Sequence, residues 1–502
     1  MAERQNVLFV IMDQMRADCL HGALGAAAEL PHLRALMADG VSFASHFSVC
    51  APCGPARASI LTGQYAMNHR SVRNGTPLRH DTPNLAGEMR KAGYAPRLYG
   101  YTDTTMDPRA FGADDPRLHS YEQVMPGFDE VVRMRADSDI SAWIEYLKNK
   151  GYPSDIEEKI NQPDGDSPDD PARYAASDSD TAWLTDRMLE DLANQPRGWF
   201  AHLTYIRPHP PFVAPSPYNR MFDPANMPAP LKAATEAEER AWHPFVASSL
   251  DAVPISSVVS GFPELQASDT VVATMRALYL GLVAEVDHHL GRIVAWLKQS
   301  GQYDDTLIVV TSDHGEMLGD RHAWGKRTFY NAAYHVPLII RDPRHPAAFG
   351  RVVEAATESV DITPTLLDQA GQAVPDAMDG RSLRPFLRGE TPESWRSYSY
   401  SELDFGDPVT PTVWQAQLGL HADECNLAIL RDGQHTLVHF AGGLPQILFR
   451  QGEAGEDRDI SGDNDSAAIL LEMSRKMLCH RMANPDGTFA GTMVTGQGVK
   501  AG

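Results

Sequence analysis

Cysteine is scarce. The chain has five in 502 residues (Cys19, Cys50, Cys53, Cys425 and Cys479), an odd and scattered set. That excludes a disulfide-stapled scaffold and fits a reducing compartment. Basic charge is scarce too: Lys+Arg 44 against Asp+Glu 66 leaves a net charge of −22. Wrapping nucleic acid or docking on an anionic membrane needs basic patches, so both are disfavoured. A small anionic substrate is still allowed, because a site can be locally positive. Long apolar runs are missing as well. The N-terminal run Val7 to Met12 is shorter than a signal-peptide core and has no small-residue cleavage site after it. No window reaches the length of a membrane span. Internal repeats and low-complexity tracts are absent. The expectation is a soluble, cytoplasmic protein with neither a nucleic-acid nor a membrane partner.

What is present is the material of a large core, 43% hydrophobic and 22% charged. Length alone suggests roughly three domains, though large α/β chains often fold as one unit. Asn6 to Met12 is almost wholly apolar and runs into Asp13, the pattern of a central parallel strand buried on both faces. Trp199 to Ile206, Thr306 to Val310 and Val336 to Ile340 read the same way, and Val41 to Val49 and Tyr94 to Tyr99 read as further strands. Helices are expected at Pro31 to Ala38, Ala56 to Leu61 (stopped by Gly63), Asn84 to Ala92 (closed by Gly93), Ile140 to Lys148 and Asp178 to Asn194. The clearest is Thr270 to Gln299, where Met275, Leu278, Leu282, Val286, Leu290, Ile293 and Leu297 recur at helical spacing. Strands alternating with helices predict a mostly parallel sheet between helices, with ligands bound outside the C-terminal strand ends. After about Gly389 the texture changes. Trp414 to Leu420, Asn426 to Leu430, Thr436 to Phe440 and Gln446 to Phe449 are short runs that suggest a small antiparallel sheet. A helix near Ala467 to His480 and a polar, Gly-rich tail follow. The expected division is a catalytic α/β domain over 1–389 and an α+β subdomain over 390–502, whose tail is either flexible or an arm that orders on a second copy.

The segment Cys50-Ala-Pro-Cys53-Gly-Pro-Ala-Arg57-Ala-Ser-Ile-Leu-Thr-Gly63 carries the most chemical information. As C-x-x-C it suggests a redox pair or half a zinc site, but no second C-x-x-C completes a zinc site. As Cys53-x-Pro55-x-Arg57 with a trailing Leu61-Thr62-Gly63, it resembles the type I sulfatases and their relatives. Cys50 does not fit that pattern, because Gly54 stands where it would need Arg. The resemblance implies that a maturation enzyme oxidises Cys53 to formylglycine. One hydroxyl of the hydrated aldehyde would attack sulfur or phosphorus, and the other would expel the product by carbon–oxygen cleavage. Placed at a helix N-terminus, such a nucleophile sits where the dipole favours anions. Arg57, about one turn on, would hold its oxygens or the substrate.

Asp13 ends the first strand, and Asp313-His314 follows Thr306 to Val310. Neighbouring parallel strands would bring these residues to one rim, and two carboxylates with an imidazole suit Mn²⁺, Ca²⁺ or Mg²⁺. With Cys53 they form the expected metal set. Asp13-Gln14 and Asp313-His314 depart from the commoner sulfatase pairs, Asp-Asp and Asp-Asn. They resemble instead the phosphonate monoester hydrolase branch of the alkaline phosphatase superfamily. The resemblance implies that Lys326 binds the transferring group and assists the leaving oxygen, and that His209 in Pro208-His-Pro-Pro protonates it. The sulfatase Gly-Lys-Trp-His-Leu-Gly segment is replaced by Leu98-Tyr-Gly-Tyr101-Thr102-Asp103-Thr104. The branch uses a tyrosine, a threonine and an upstream asparagine there. Asn74 and Tyr101 fit, Asp103 stands at the threonine position, and Thr102, Thr104 or Thr105 could substitute. His322 is a weaker candidate. Asp287-His288-His289 lies on the long helix, where adjacent residues diverge, and reads as capping and packing. The resemblance spans about Asn6 to Gly389 and includes Asp361-Ile-Thr-Pro-Thr and Asp379-Gly-Arg-Ser. It implies an alkaline-phosphatase-like fold and a promiscuous, metal- and formylglycine-dependent hydrolase of phosphonate monoesters, phosphodiesters and sulfate monoesters. The C-terminal arm itself suggests self-association. The alternatives are a dedicated arylsulfatase, a C-x-x-C redox protein and a catalytically dead relative that binds no metal.

Overall fold

The computed structural model describes residues 4–451, 456–486, 492–495 and 498–501. Its centre is an eight-stranded sheet. In chain order the strands are β1 (Asn6–Met12), β2 (Val41–Phe43), β3 (Pro96–Gly100), β4 (Asp129–Arg133), β5 (Phe200–Tyr205), β6 (Thr306–Thr311), β7 (Leu338–Arg341) and β8 (Arg351–Val353). Their order across the sheet is β8-β2-β7-β6-β1-β5-β3-β4. Among the described residues β7 alone runs antiparallel to both neighbours, and the other pairings are parallel. This is the expected mostly parallel sheet.

The period-2 geometry of β1 accounts for its apolar run. Leu8, Val10 and Met12 face one core, packed with Leu278, Leu282 and Val286 of the helix Asp269–Gln299. Val7, Phe9 and Ile11 face a second core with Ile60 and Leu61. Both faces of the sheet are therefore covered. Asp287 behaves as expected: it accepts from the backbone N–H groups of His32 (3.2 Å) and Leu33 (2.6 Å), at the start of the helix Pro31–Ala38. No helix of the described residues is long and apolar enough to cross a membrane.

Two expectations are corrected. The run 41–49 is not one strand. It breaks after β2, and His46–Phe47 pairs separately with Thr357–Glu358. Trp414 to Leu420 is not a strand either: Val413–Leu418 is a helix, opened by a Thr412/Gln415 capping box and closed by Gly419 at φ +66°. The second sheet orders Ile447–Arg450, His435–Phe440, Asn426–Arg431, Ser399–Asp404 and Cys50–Ala51. Its last strand comes from the N-terminal body: Glu402 pairs with Cys50 and Leu403 with Ala51. The strand leading directly into Cys53 is thus held by the C-terminal sheet. Of the tail, Thr492–Thr495 and Gly498–Ala501 pair as antiparallel strands, and the rest of the tail expectation lies outside the described residues.

Candidate active site

The registers of the sheet place the chemistry. Ile11 lies opposite Thr311 and Met12 opposite Tyr205. The residues just beyond these strand ends, Asp13, Asp313-His314 and the turn bearing His209, therefore meet at one rim. Gln14 turns back with φ +69° and donates its N–H to Asp313 Oδ1 (3.1 Å), tying the two strand ends together. The third component is the helix Cys53–Thr62, buried along its whole length, with Pro55 in its first turn and Gly63 at φ +67° ending it. Its second residue, Gly54, donates its N–H to Asn74 Oδ1 (3.0 Å).

Asp13, Cys53, Asp313 and His314 are all buried, and one ligand atom from each lies within 4.8 Å of the others. His314 Nε2 stands 3.2 Å from Cys53 Sγ, while its Nδ1 faces Gly315 O (3.1 Å). That second contact fixes the ring so that Nε2 is the free lone pair, the orientation of a metal-ligating histidine. Burial and then the nearby Lys326 charge lower its pKa well below the ordinary range, keeping the imidazole neutral. Asp313 Oδ2 is buried with no aligned hydrogen-bond donor among the described residues, though Arg57 Nε lies 3.0 Å away. Two carboxylates, a neutral imidazole and residue 53 with an oxygen unspent fit a divalent cation.

Arg57 has no exposed surface. Its Nη2 donates to Asp13 Oδ2 (2.9 Å) and Tyr101 Oη (3.2 Å), and its Nε faces Asp313 and, at 3.6 Å, Asp103 Oδ2. The guanidinium also stacks on the Tyr101 ring, 4.2 Å from its centroid. Arg57 thus binds the acids around residue 53, and its Nη1 is left without a partner among the described residues. Tyr101 donates to Asp13 Oδ2 (2.5 Å). Asp103 is buried at φ +48°, and burial raises its carboxyl pKa well above the usual range against the pull of Arg57.

On the other side of Cys53 stands Lys326. Its Nζ is 3.3 Å from Cys53 Sγ, 2.8 Å from His209 Nε2 and 2.7 Å from Gln14 Oε1. Burial would lower its pKa, but the neighbouring Cys53, Asp13 and Asp313 side chains outweigh burial and raise it. His209 has the opposite bias, lowered first by burial and then by Lys326. Its Nδ1 faces Pro210 O (2.5 Å), so the neutral ring offers Nε2 to the ammonium. Cys53 itself, as a thiol, is raised well above its usual value by burial and by Asp13.

Of the expected site residues, Asp13, Cys53, Arg57, Tyr101, Asp103, His209, Asp313, His314 and Lys326 converge, with Asn74 at the helix start. Thr102 does not join them. Its hydroxyl is spent on Gln123 O (3.0 Å) and Thr104 Oγ1 (3.1 Å), and it accepts from Met125 N–H (2.8 Å). His322 turns away to Ala233 O (3.0 Å). Sequence reasoning missed Gln14, which touches Lys326, and the buried Glu316 behind it. The signal for Gln14 was its place directly after a strand-end aspartate.

The same architecture recurs in solved structures. The phosphonate monoester hydrolase SpPMH from Silicibacter pomeroyi superposes with a TM-score of 0.96 at 56% identity, covering 99% of both chains. The phosphonate monoester hydrolase of Agrobacterium radiobacter superposes with a TM-score of 0.94 at 42% identity, covering 99% of this chain and 100% of that one. The multifunctional alkaline phosphatase superfamily protein PehA of Trinickia caryophylli is 37% identical over 510 residues, 99% of each chain. The sequence profile of the Sulfatase family matches residues 5–372. With the alkaline-phosphatase-like sheet and this extent of similarity, the chain belongs to the sulfatase family.

Proposed function

We propose that the protein hydrolyses phosphonate monoesters and phosphodiesters and, at the same site, sulfate monoesters, using formylglycine at position 53 and one divalent metal ion. The observation that carries this reading is the buried cluster in which Cys53 Sγ lies 3.2 Å from His314 Nε2 and 3.3 Å from Lys326 Nζ, with Asp13 and Asp313 alongside. When bound, a cation held by Asp13, Asp313, His314 and residue 53 would supply Lewis-acid screening of the substrate oxyanion, and formylglycine would supply a diol nucleophile.

The chain's own groups supply the rest. The N-terminus of the helix Cys53–Thr62 directs its dipole at the anion. Asn74 fixes that helix start. Arg57 holds the site acids in place and keeps Nη1 for an oxygen of the substrate or of residue 53. Lys326 and His209 form one hydrogen-bonded pair that holds the proton needed by the departing oxygen, with Lys326 as its carrier. The three substrate classes share a tetrahedral centre with one negative charge, so one locally positive pocket can accept all of them. Tyr101 and Asn74, in place of the sulfatase Lys and His, favour phosphonate monoesters and phosphodiesters. A dedicated arylsulfatase is the second reading, favoured by the match to the sulfatase family.

The redox alternative has less support. Cys50 is held in a strand with its Sγ 3.3 Å from Ser59 Oγ, while Cys53 faces the acids. The five cysteines are free, in keeping with a cytoplasmic site of action. Residues 1–389 carry the site, and 390–502 complete the sheet behind it. The antiparallel strands Thr492–Thr495 and Gly498–Ala501, with Met493 and Val499 exposed, support association with a second copy.

The deciding experiment is peptide mass analysis of the segment around residue 53, after expression with a formylglycine-generating enzyme, alongside kinetics on matched aryl phosphonate, phosphodiester and aryl sulfate substrates. The aldehyde should appear at Cys53. Cys53→Ala should lose activity, and Cys50→Ser should keep it. A thiol at position 53 in fully active protein, or equal dependence on both cysteines, would overturn the proposal.

A further inference from the structure

The turn that carries His209 is poor in backbone donors. Beyond the end of β5 the chain reads Ile206-Arg207-Pro208-His209-Pro210-Pro211-Phe212. Proline has no N–H, so among residues 208–211 His209 alone can donate from the backbone. That N–H goes to Ile206 O (2.9 Å), and the next one along the chain, from Phe212, goes to Val258 O (2.7 Å). The carbonyls of the turn therefore have no local N–H to accept from, and only side chains or water can hold them. One of these carbonyls orients the imidazole. Pro210 O faces His209 Nδ1 (2.5 Å), which leaves Nε2 toward Lys326 Nζ (2.8 Å).

The carbonyls on either side of Pro210 are held by one buried side chain. Arg207 is 3% exposed, and its Nη1 donates to Pro211 O (3.0 Å) and His209 O (3.4 Å). The peptide groups before and after the one that orients His209 are thereby tied to a single guanidinium. That guanidinium is itself anchored. Its Nε lies 3.2 Å from Asp180 Oδ2, in an ion pair whose side chains are 4% and 5% exposed. Its Nη2 donates to Tyr174 Oη (3.4 Å), and the Tyr174 ring packs edge-on against Trp143 with centroids 5.2 Å apart. Asp180 opens the helix Asp180–Leu192, so a helix outside the site anchors the turn inside it.

We infer that Arg207 is a positioning residue for His209: its planar fork clamps the donor-poor proline turn on both sides of Pro210, and Asp180 holds the fork in place. The inference deepens the proposed function and rests on its assignment of the His209–Lys326 pair to the leaving oxygen. A lysine at 207 would keep a positive charge beside Asp180. Its single ammonium lacks the fork that reaches two carbonyls, a carboxylate and a phenol at once. The turn would loosen, and His209 Nε2 would move away from Lys326.

The test measures kcat/KM for wild type, Arg207→Lys, His209→Ala and the double variant on aryl phosphonate monoesters with leaving groups from dinitrophenol to phenol. A misplaced proton donor harms poor leaving groups most. Arg207→Lys should therefore lose about tenfold to a hundredfold on the phenyl ester and little on the dinitrophenyl ester. If Arg207 acts through His209, that loss is already contained in His209→Ala, and adding Arg207→Lys to that background should lower the rate less than about twofold. A merely structural role lowers the rate equally in both backgrounds and at every leaving group. Either of those results, or no loss at all, would overturn the inference. Should Arg207→Lys fail to fold, Asp180→Asn keeps the shape of the anchor, removes its charge and must show the same selective loss. If His209→Ala leaves the leaving-group dependence unchanged, the assignment of the pair fails. A crystal structure of Arg207→Lys then decides separately: a turned or displaced His209 ring sustains the positioning role, and an unmoved His209–Lys326 contact ends it.

Discussion

Arg57 shows how strongly one side chain can be tied to its surroundings. Its guanidinium has no exposure and stands within 3.6 Å of carboxyl oxygens from Asp13, Asp103 and Asp313. Removing a partner from a buried ion pair costs about 3–5 kcal/mol, because the remaining charges are left desolvated and unpaired. Arg57→Ala should lower stability by about that amount and abolish turnover. Arg57→Lys keeps the charge but loses the planar fork, and should fall between. Denaturant midpoints on the metal-free protein measure the difference, and equal midpoints for all three would contradict this account. The residues around Arg57 also show what sequence can reveal. Cys53, Asp13 and Asp313-His314 were legible because chemically distinctive side chains stood at element ends. Thr102 was misplaced because successive side chains alternate in direction beyond the end of β3, so Tyr101 faces the site while Thr102 faces Gln123 and Met125, and Asp103 returns to the site through a left-handed turn at φ +48°. Sequence carries no phase for that alternation in so short a stretch. Gln14 gave a signal only as the residue after a strand-end aspartate, because its partners Asp313, Glu316 and Lys326 all lie about 300 residues further on.

Elements add constraints that no single contact shows. The helix Cys53–Thr62 has Gly54 as its second residue, and a Cβ there would lie 2.9 Å from Asn74 Oδ1 and 3.3 Å from Asp103 O. Gly54→Ala should therefore push Asn74 away and shift the helix start, with kcat/KM falling about tenfold to a hundredfold. Stability should change little, since alanine favours the helix by about 1 kcal/mol over glycine and offsets the crowding. Kinetics and a thermal melt on one sample separate the two effects, and a large loss of stability would argue against a local displacement.

The long helix Asp269–Gln299 carries a different load. Burial first, and then the charge of Asp180, push the Glu285 carboxyl from 4.5 to about 8. The unfolded chain ionises this group near its ordinary value, while the folded chain keeps it neutral. Between those two pH values unfolding releases a proton, so stability falls as pH rises and levels off above about 8. Glu285→Gln should match wild type near pH 4.5 and exceed it above pH 8 by on the order of 3–5 kcal/mol, as denaturation curves at both pH values would show. Strands and long helices were legible from periodicity. The helix Val413–Leu418 was not, because its apolar residues resemble a short strand and its identity lies in its caps, Thr412/Gln415 and Gly419.

At the scale of the molecule, the composition break near Gly389 is real in texture but is crossed by a strand. Cys50–Ala51 completes the sheet built from Ser399–Asp404 onward, so the backbone that delivers Cys53 is hydrogen-bonded to the C-terminal segment. The cores cross the same line. Phe245, Phe329, Tyr330 and Tyr334 pack with Leu403, Trp414, Ile429 and Phe449, while Val49 and Ala56 pack with Leu430 and Met473. Uncovering the four aromatic residues alone forfeits about 1.5–3 kcal/mol each. That sum rivals the whole net stability of a typical fold, about 5–15 kcal/mol. A chain ending at residue 389 should therefore be insoluble or unfolded, and inactive even when the formylglycine-generating enzyme is supplied. Co-expression with a separate 390–502 fragment should restore both solubility and activity, because the lost contacts are noncovalent. Soluble yield, cooperative unfolding and ester hydrolysis of the fragment and of the reconstituted pair read this directly. A cooperatively folded and active 1–389 fragment would show that the N-terminal body holds the Cys53 strand without the second sheet.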